Sequence, residues 1–184
     1  MLTVNFDPFP ILSTDRLRIR QLVESDANDL FALRSHETLM RFIPRPLAKS
    51  MDDAVLLIRG FDELIRAGES ITWGIALKNE PQVIGTIGFV RFQKENYRAE
   101  VGYLLHSDYH GSGLMQEALL AVVDYGFRAL QLHSIEAIVD PDNTASANVL
   151  ERSGFRKEGH FKENKFFNGR FLDSVYYARL APIE

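Results

Sequence analysis

Residues Tyr97–Phe127 read YRAEVGYLLHSDYHGSGLMQEALLAVVDYGF, and they predict a β-strand, a glycine turn and a helix in succession. The strand covers residues 97–105, the turn is His110–Gly113, and an apolar helix begins at Leu114. A helix that starts directly from a glycine turn leaves its first backbone N–H groups free. Together with the positive end of the helix dipole, these donors favour a phosphate or pyrophosphate. The stretch therefore predicts an anion site for a small molecule at the end of a strand.

The order of elements around this stretch predicts a single α/β domain over residues 1–184. Short connections between three strands, at residues 72–78, 82–92 and 97–105, indicate an antiparallel meander. The helix at 114–130 then joins strand 97–105 to strand 133–139, which makes these two strands parallel. The remaining predicted elements are a strand at 14–22, a short helix from Ser25, a capped helix at 51–67, a helix from Asp142 or Asn143 to about 152, and strands at 155–167 and 170–180 joined by an Asn168-Gly169 hairpin turn. The expected fold is a mixed, mostly antiparallel sheet with a central parallel strand pair and helices on both faces.

Composition limits the partners and the chemistry. The formal net charge of −4 provides no overall positive field for nucleic acid, so we expect none to bind. There is no cysteine, which excludes disulfides, thiolate metal sites and a cysteine nucleophile. The sequence opens without a signal-peptide pattern and contains no apolar run of the roughly 18–20 residues that a membrane span needs. We therefore expect a cytoplasmic protein that does not bind membranes.

Three ligands could in principle explain the glycine turn. A nucleotide-triphosphate loop needs a lysine after the second glycine, where this chain has Leu114, and a dinucleotide site needs a third glycine where it has Gln116. The pyrophosphate of coenzyme A remains, beside the alternative of a glycine turn that binds no ligand. His106, Asp108 and His110 could suggest a metal site, but alternate residues of an extended segment point apart. We therefore expect no metal.

Five segments in the same order resemble the GNAT superfamily of N-acetyltransferases, and within it the branch of ribosomal-protein N-terminal acetyltransferases. The resemblance covers nearly the whole chain, and its segments are Thr14–Arg20, Val83–Phe89, Ala99–Tyr103, Gly111–Ala118 and Asn143–Phe155, followed by the Asn168-Gly169 hairpin. It implies direct transfer of an acetyl group from acetyl-CoA, as a co-substrate, to a primary amine.

The resemblance also implies which residues bind coenzyme A. The pantetheine arm would run beside the strand that precedes the turn, and the pyrophosphate would lie on the turn and the helix start, where the family motif has Arg or Gln at position 110 and a small residue at position 115. Near the coenzyme sulfur the branch has a serine. The cofactor-binding residues expected on this basis are Tyr103, Leu104, Leu105, His110, Gly111, Ser112, Gly113, Leu114, Met115, Asn143 and Ser146.

The catalytic candidates are Glu100, Glu163 and Ser146. Glu100 is the first choice of general base, because it lies on the cofactor-side strand and alternates with Gly102 and Leu104; the alternative is a surface or salt-bridged carboxylate. Related members place a glutamate near position 165, where this chain has lysine, so Glu163 is the second choice. Ser146 is a candidate acid or hydrogen-bond donor to the departing thiolate, or an ordinary first-turn helix serine.

The resemblance favours a protein N-terminal α-amine of the ribosomal-protein type as acceptor. A small amine, such as a polyamine or an aminoglycoside, stays open as an alternative, as does a coenzyme-A-binding module without catalysis. The expected oligomeric state is a monomer or a homodimer.

Overall fold

A mixed β-sheet forms the centre of the structure, a computed structural model that describes residues 1–182. Its strands are β1 (Leu12–Ser13), β2 (Leu17–Gln21), β3 (Ile71–Leu77), β4 (Val83–Gln93), β5 (Arg98–Leu105), β6 (Ser134–Val139), β7 (Arg156–Phe167) and β8 (Arg170–Leu180). The spatial order is β1-β2-β3-β4-β5-β6-β8-β7. Only the β5–β6 pair is parallel among the described strands, which confirms the predicted fold class and the predicted parallel pair.

Five α-helices surround the sheet within the described part of the chain. They are α1 (Ala27–Arg34), α2 (Glu37–Met40), α3 (Met51–Ala67), α4 (Leu114–Arg128) and α5 (Thr144–Arg152). Helix α3 has the bounds that its sequence predicts. Ser50 and Asp53 form a reciprocal capping box at its start, and Gly68 ends it at a φ of 64°.

Two local predictions at the N-terminal side of the sheet were wrong, and one short helix was not predicted. The predicted strand at 14–22 begins only at Leu17, because residues 14–16 make the turn from β1 to β2. The first helix begins at Ala27 rather than after Ser25, because Glu24–Asp26 form a short 3-10 turn instead. The link between α1 and α3 contains α2, a single turn whose N-terminus is capped by the His36 side chain.

Successive side chains of each strand point to opposite faces of the sheet, and a separate hydrophobic core lies on each face. One core contains α1 and α3 and includes Leu104, whereas its neighbour Leu105 belongs to the core that contains α4. Trp73 is fully buried in the α4 core, where it makes edge contacts with Phe89 and Tyr125. Both faces of the central strands are therefore covered, and the ends of the strands are left for a site.

The two parallel strands separate soon after they meet. Their pairing covers three positions and ends where Glu100 lies opposite Glu136. Beyond that point β5 stays paired with β4 as far as Leu105, and β6 stays paired with β8 as far as Val139. The facing edges of residues 101–105 and 137–139 are thus left without strand partners in the described structure, which opens a gap in the middle of the sheet.

Candidate active site

A cavity of about 920 Å³ lies at this gap on the face that carries α1 and α3. Its walls include Glu100, Gly102 and Leu104 of β5, the β6 segment 137–139, and Asn143 and Ser146 at the start of α5. The volume is at the upper end of the range for small-molecule sites, about 300–1,000 Å³. The cavity therefore has room for both an extended cofactor arm and part of an acceptor.

The glycine turn leads directly into α4. Gly111 and Gly113 have φ angles of 73° and 79°, in the left-handed region that L side chains rarely adopt, and a Cβ on Gly111 would meet no atom within 4 Å. Gly113 is the N-cap residue of α4, and no side chain caps this end of the helix. The first N–H groups of α4 therefore have no side-chain partner at this end, which is the arrangement that favours an anion.

A contact that sequence reasoning missed holds this turn in place. The Arg16 guanidinium donates to the Ser112 carbonyl at 2.9 Å and pairs with the Glu117 carboxylate at 2.7 Å. The backbone N–H of Arg16 and the hydroxyl of Thr14 donate to the same carboxylate. Burial alone would raise the pKa of the Glu117 carboxyl, but these hydrogen bonds outweigh it and lower the pKa. Arg16 therefore ties the turn and the start of α4 to the β1–β2 connection.

Two of the residues expected to bind coenzyme A have their side chains engaged elsewhere. His110 Nε2 lies 2.8 Å from the Leu105 carbonyl, so this nitrogen donates to the end of β5 and is not free for a phosphate. The Met115 side chain is 8% exposed and packs in the α4 core, with Leu114 beside it. The Met115 side chain is therefore held in the core and is not available at the turn.

Glu100 lies at the point where β5 and β6 separate. Its side chain is 21% exposed, and one oxygen is 3.0 Å from the guanidinium of Arg91, which is itself 56% exposed. Burial raises the pKa of the Glu100 carboxyl; Arg91 opposes this, the neighbouring Glu136 adds to it, and Lys165 and Arg45 oppose it. The net pKa is above the ordinary value, which suits a group that must accept a proton near neutral pH.

Glu136 supports the arrangement from the buried side. Its carboxylate is 5% exposed and is held by Arg98 at 2.9 Å and by the Gln93 amide at 3.0 Å. A buried carboxylate fixed in this way remains beside Glu100 and keeps its own hydrogen-bonding capacity occupied. Of the two facing carboxylates, Glu100 is therefore the one that is directed to the cavity.

A hydroxyl pair joins β5 to the start of α5 beside the same cavity. The Tyr103 phenol is 2.8 Å from Ser146 Oγ, and Asn143 caps α5 by accepting from the Ser146 backbone N–H at 3.1 Å. Asn143 therefore has the capping role, and the Ser146 hydroxyl is available for the Tyr103 contact. Burial raises the pKa of Tyr103 to about 12, against the opposing hydrogen bond with Ser146, so the phenol keeps its proton at neutral pH. The Tyr103 side chain was not foreseen in this role.

Glu163 is separated from the cavity that Glu100 lines. It is exposed on β7, at a bulge between Phe161 and Lys165 with a φ of 50°, and its backbone N–H donates to Asp173 at 2.9 Å. The bulge directs Asn164 and Lys165, and not Glu163, to the cavity wall. The position where related enzymes carry a glutamate therefore brings a positive charge near Glu100.

The described residues 1–182 contain no cluster of three or more His, Cys, Asp or Glu side chains arranged to hold a metal ion. The three residues considered as a metal site, His106, Asp108 and His110, make local contacts. Among these, the backbone N–H of Asp108 donates to His106 Nδ1 at 3.3 Å. No helix within the same residues has the length and apolar character of a membrane span.

Comparisons with known proteins agree with this geometry. Residues 16–156 match the acetyltransferase (GNAT) domain. The chain is 37% identical over 176 residues to YoaA, an uncharacterized N-acetyltransferase of Bacillus subtilis, covering 96% of this chain and 99% of the relative. It is 29% identical over 179 residues to the ribosomal protein uS5-alanine N-acetyltransferase of Escherichia coli, covering 93% and 91%. The solved structure of RimL, a ribosomal L7/L12 α-N-protein acetyltransferase in complex with coenzyme A, aligns with a TM-score of 0.84 at 25% identity over 94% of this chain and 98% of that one.

The chain belongs to the GNAT acetyltransferase family. The family that the sequence motifs indicate is confirmed, as is the expectation of an N-acetyltransferase enzyme.

Proposed function

We propose that this enzyme transfers the acetyl group of acetyl-CoA directly to a protein N-terminal α-amine. The observation that carries the proposal is the gap after Glu100, because one cavity at this gap is lined by Glu100, Tyr103 and Ser146, and the hydroxyls of the last two are paired. Direct attack needs a base near the amine and a proton donor near the departing sulfur, and the cavity is lined by one candidate for each role.

Acetyl-CoA would bind along the separated strands. The amides of the pantetheine arm need partners, and the backbone of β5 between Tyr103 and Leu105 would supply them in the manner of an added strand, through those groups that bond neither to β4 nor, like the Leu105 carbonyl, to His110. The pyrophosphate would lie on the glycine turn at Gly111–Gly113, where the start of α4 presents its free N–H groups. Arg16 keeps that turn in position.

The transfer then requires one bond to form and one to break. Glu100 accepts a proton from the ammonium, and the neutral amine nitrogen attacks the thioester carbonyl carbon. The tetrahedral intermediate collapses with cleavage of the carbon–sulfur bond. The attacking nitrogen loses its second proton as the amide forms. Ser146, hydrogen-bonded to Tyr103, gives a proton to the thiolate and is reprotonated by the one that nitrogen releases, while Glu100 returns the first proton to solvent. Most of the remaining acceleration comes from alignment of amine and thioester.

The α-amine assignment is supported by the relatives and by the shape of the site. The Escherichia coli relative is named for an alanine of ribosomal protein uS5, and RimL for the N-terminus of L7/L12. The cavity extends from Glu100 to the link between α2 and α3, far enough to receive the first residues of an extended chain.

An acceptor panel tests the proposal. Peptides with a free N-terminus, the same peptides with a blocked N-terminus and an internal lysine, a polyamine and an aminoglycoside are each offered with acetyl-CoA. Thiol release gives the rate, and mass spectrometry locates the acetyl group. We expect transfer to the free α-amine and little to the blocked peptides. Preference for the polyamine or aminoglycoside would contradict the acceptor assignment, and coenzyme A binding without turnover on any amine would contradict catalysis.

A further inference from the structure

Two arginines face the acceptor end of the cavity without a carboxylate partner. Arg34 is the last residue of α1, Arg45 lies in the link between α2 and α3, and both line the cavity that contains Glu100. No ion pair within 4 Å joins either guanidinium to any Asp or Glu of residues 1–182. Glu63 also lines the cavity but is not within that distance of either one.

The backbone brings these two side chains together. The Ala48 N–H donates to the Arg34 carbonyl at 3.0 Å, which ties the link to the end of α1. The Arg45 N–H donates to the Ile43 carbonyl at 2.7 Å, which tightens the link just before Pro46. These main-chain contacts fix the backbone from which both side chains reach the cavity, and they involve no charge partner.

This placement is unfavourable in the free protein. Burial lowers the pKa of the Arg34 guanidinium, and the positive charge of Arg45 lowers it further. Arg20 shows the usual arrangement on the same side of the molecule, because Asp26 binds its guanidinium through two hydrogen bonds at 2.8 and 2.9 Å. A partly buried charge that lacks such a partner and has a like charge nearby indicates a ligand that supplies the missing anion.

The anion differs from the phosphates of coenzyme A in its position. The glycine turn that presents the N–H groups for pyrophosphate does not line this cavity, whereas Glu100, the residue beside the reacting amine, does. Arg45 is near enough to Glu100 for its charge to lower the pKa of that carboxyl. The pair is therefore on the acceptor side of the reacting centre.

We propose that Arg34 and Arg45 form a subsite for a carboxylate that the acceptor carries close to its amine, so that the enzyme selects N-terminal segments with an acidic second or third residue. This specificity rests on the proposed transfer to an N-terminal amine. An extended peptide advances about 3.3–3.6 Å per residue, so those two side chains lie within roughly 10 Å of the amine. Glu100 then faces the ammonium and the arginines face the carboxylate.

Matched peptides test the subsite. Two peptides of equal length differ only in Asp or Asn at the second and third positions, and both their affinity in the presence of coenzyme A and their steady-state kinetics are measured. We expect the acidic peptide to have a KM at least about 10-fold lower with a similar kcat, since charge-assisted hydrogen bonds favour it. Arg34→Gln and Arg45→Gln should each remove most of this preference. Arg59→Gln, which removes an exposed arginine paired with Glu24 at 2.7 Å, should retain it.

A second readout separates a ligand site from a structural arginine. Because Arg34 lacks a partner and is repelled by Arg45, Arg34→Gln should leave the melting temperature unchanged or raise it. Arg20→Gln should lower it, because Asp26 would lose its partner. A fall in melting temperature for Arg34→Gln with an unchanged acidic preference would show that the residue is structural.

The same assay separates failure of the subsite from failure of the proposed acceptor. If the wild type binds the two peptides with equal affinity and equal KM, or binds neither measurably, the subsite for peptides is overturned. Acetylation of both peptides would still leave the N-terminal activity intact. Free aspartate and its diamide form a third arm. Acetylation of aspartate in preference to the diamide, without acetylation of either peptide, would support the carboxylate subsite and contradict the protein acceptor.

Discussion

Replacement of Glu100 by glutamine tests the centre of the proposed mechanism. Glutamine retains the size and the hydrogen bonds of the side chain but cannot accept a proton. A positioned general base typically contributes about 10²–10⁴-fold to a rate. The acceptor determines where in that range the loss falls, since an α-amine with a pKa of about 8 is about one-tenth neutral at pH 7. We therefore expect kcat for an N-terminal peptide to fall by about 10²-fold, with coenzyme A affinity unchanged.

The pH profile gives the more discriminating result. If Glu100 removes the proton from the bound ammonium, the rate of the wild type should be nearly level between pH 7 and pH 9. The glutamine variant depends on the amine that is already neutral, and that fraction rises about 10-fold over the same interval for a pKa near 8. The rate of the variant should therefore recover about 10-fold by pH 9. Parallel pH profiles for the two proteins would refute the assignment of Glu100 as the base.

Stability should change in the opposite direction to activity. The folded-state pKa of Glu100 is raised, so wild-type stability decreases as the pH rises through that pKa, whereas glutamine mimics the protonated form and escapes this loss. The lost ion pair with Arg91 is 56% exposed on the arginine side and contributes only about 0–1 kcal/mol. Glu100→Gln should thus melt no lower than wild type at pH 7. Glu163→Gln is the matched control, and loss of turnover there instead would make the second candidate the base.

The remaining predictions concern the cofactor and the leaving group. Gly113→Asp places a side chain at a φ of 79° and a negative charge beside the phosphates, so coenzyme A affinity measured by calorimetry should fall at least about 10-fold. Gly169→Asp is the control, because it imposes the same strain at a φ of 78° in the hairpin and should leave that affinity unchanged. Ser146→Ala should lower kcat while the KM for acetyl-CoA stays nearly constant, with a stability loss of about 1 kcal/mol. Adding Tyr103→Phe to this variant should change little more, because both substitutions break the same hydrogen bond. A native kcat in Ser146→Ala would remove that hydroxyl from the mechanism.

Much of the fold was predictable because its signals are local. Ser50, Asp53 and Gly68 define α3 within 19 residues of sequence, and Asn168-Gly169 specifies a hairpin turn through two consecutive positive φ angles of 48° and 78°. The parallel strand pair followed from connectivity alone, since a helix joins the two strands. The errors at β2 and α1 are errors of boundary, where turn residues and strand residues have similar composition.

The candidate site was only partly predictable, because its contacts join residues that are distant in sequence. Tyr103 and Ser146 are 43 positions apart, and Arg16 meets Glu117 across 101 positions. Arg16 belongs to a set of arginines that alternate along a predicted strand, a pattern typical of a solvated face. The neighbouring sequence does not indicate that it pairs with a carboxylate on a distant helix. Arg34 carries even less signal, because its distinguishing feature is the absence of a partner within the described chain.

The charges of the cavity explain together why an acceptor with both an ammonium and a carboxylate would fit it. In the free protein the environment of Glu100 disfavours the carboxylate anion, and the environment of Arg34 disfavours the guanidinium cation. Each group is therefore held in a charged state that its surroundings oppose, on two walls of one cavity. An acceptor that brings its ammonium to Glu100 and its carboxylate to Arg34 relieves both penalties at once, whereas an uncharged analogue relieves neither. Part of the binding energy of such an acceptor would thus come from instability that is already present in the free enzyme, and acceptors that lack one charge would be disfavoured without any steric exclusion.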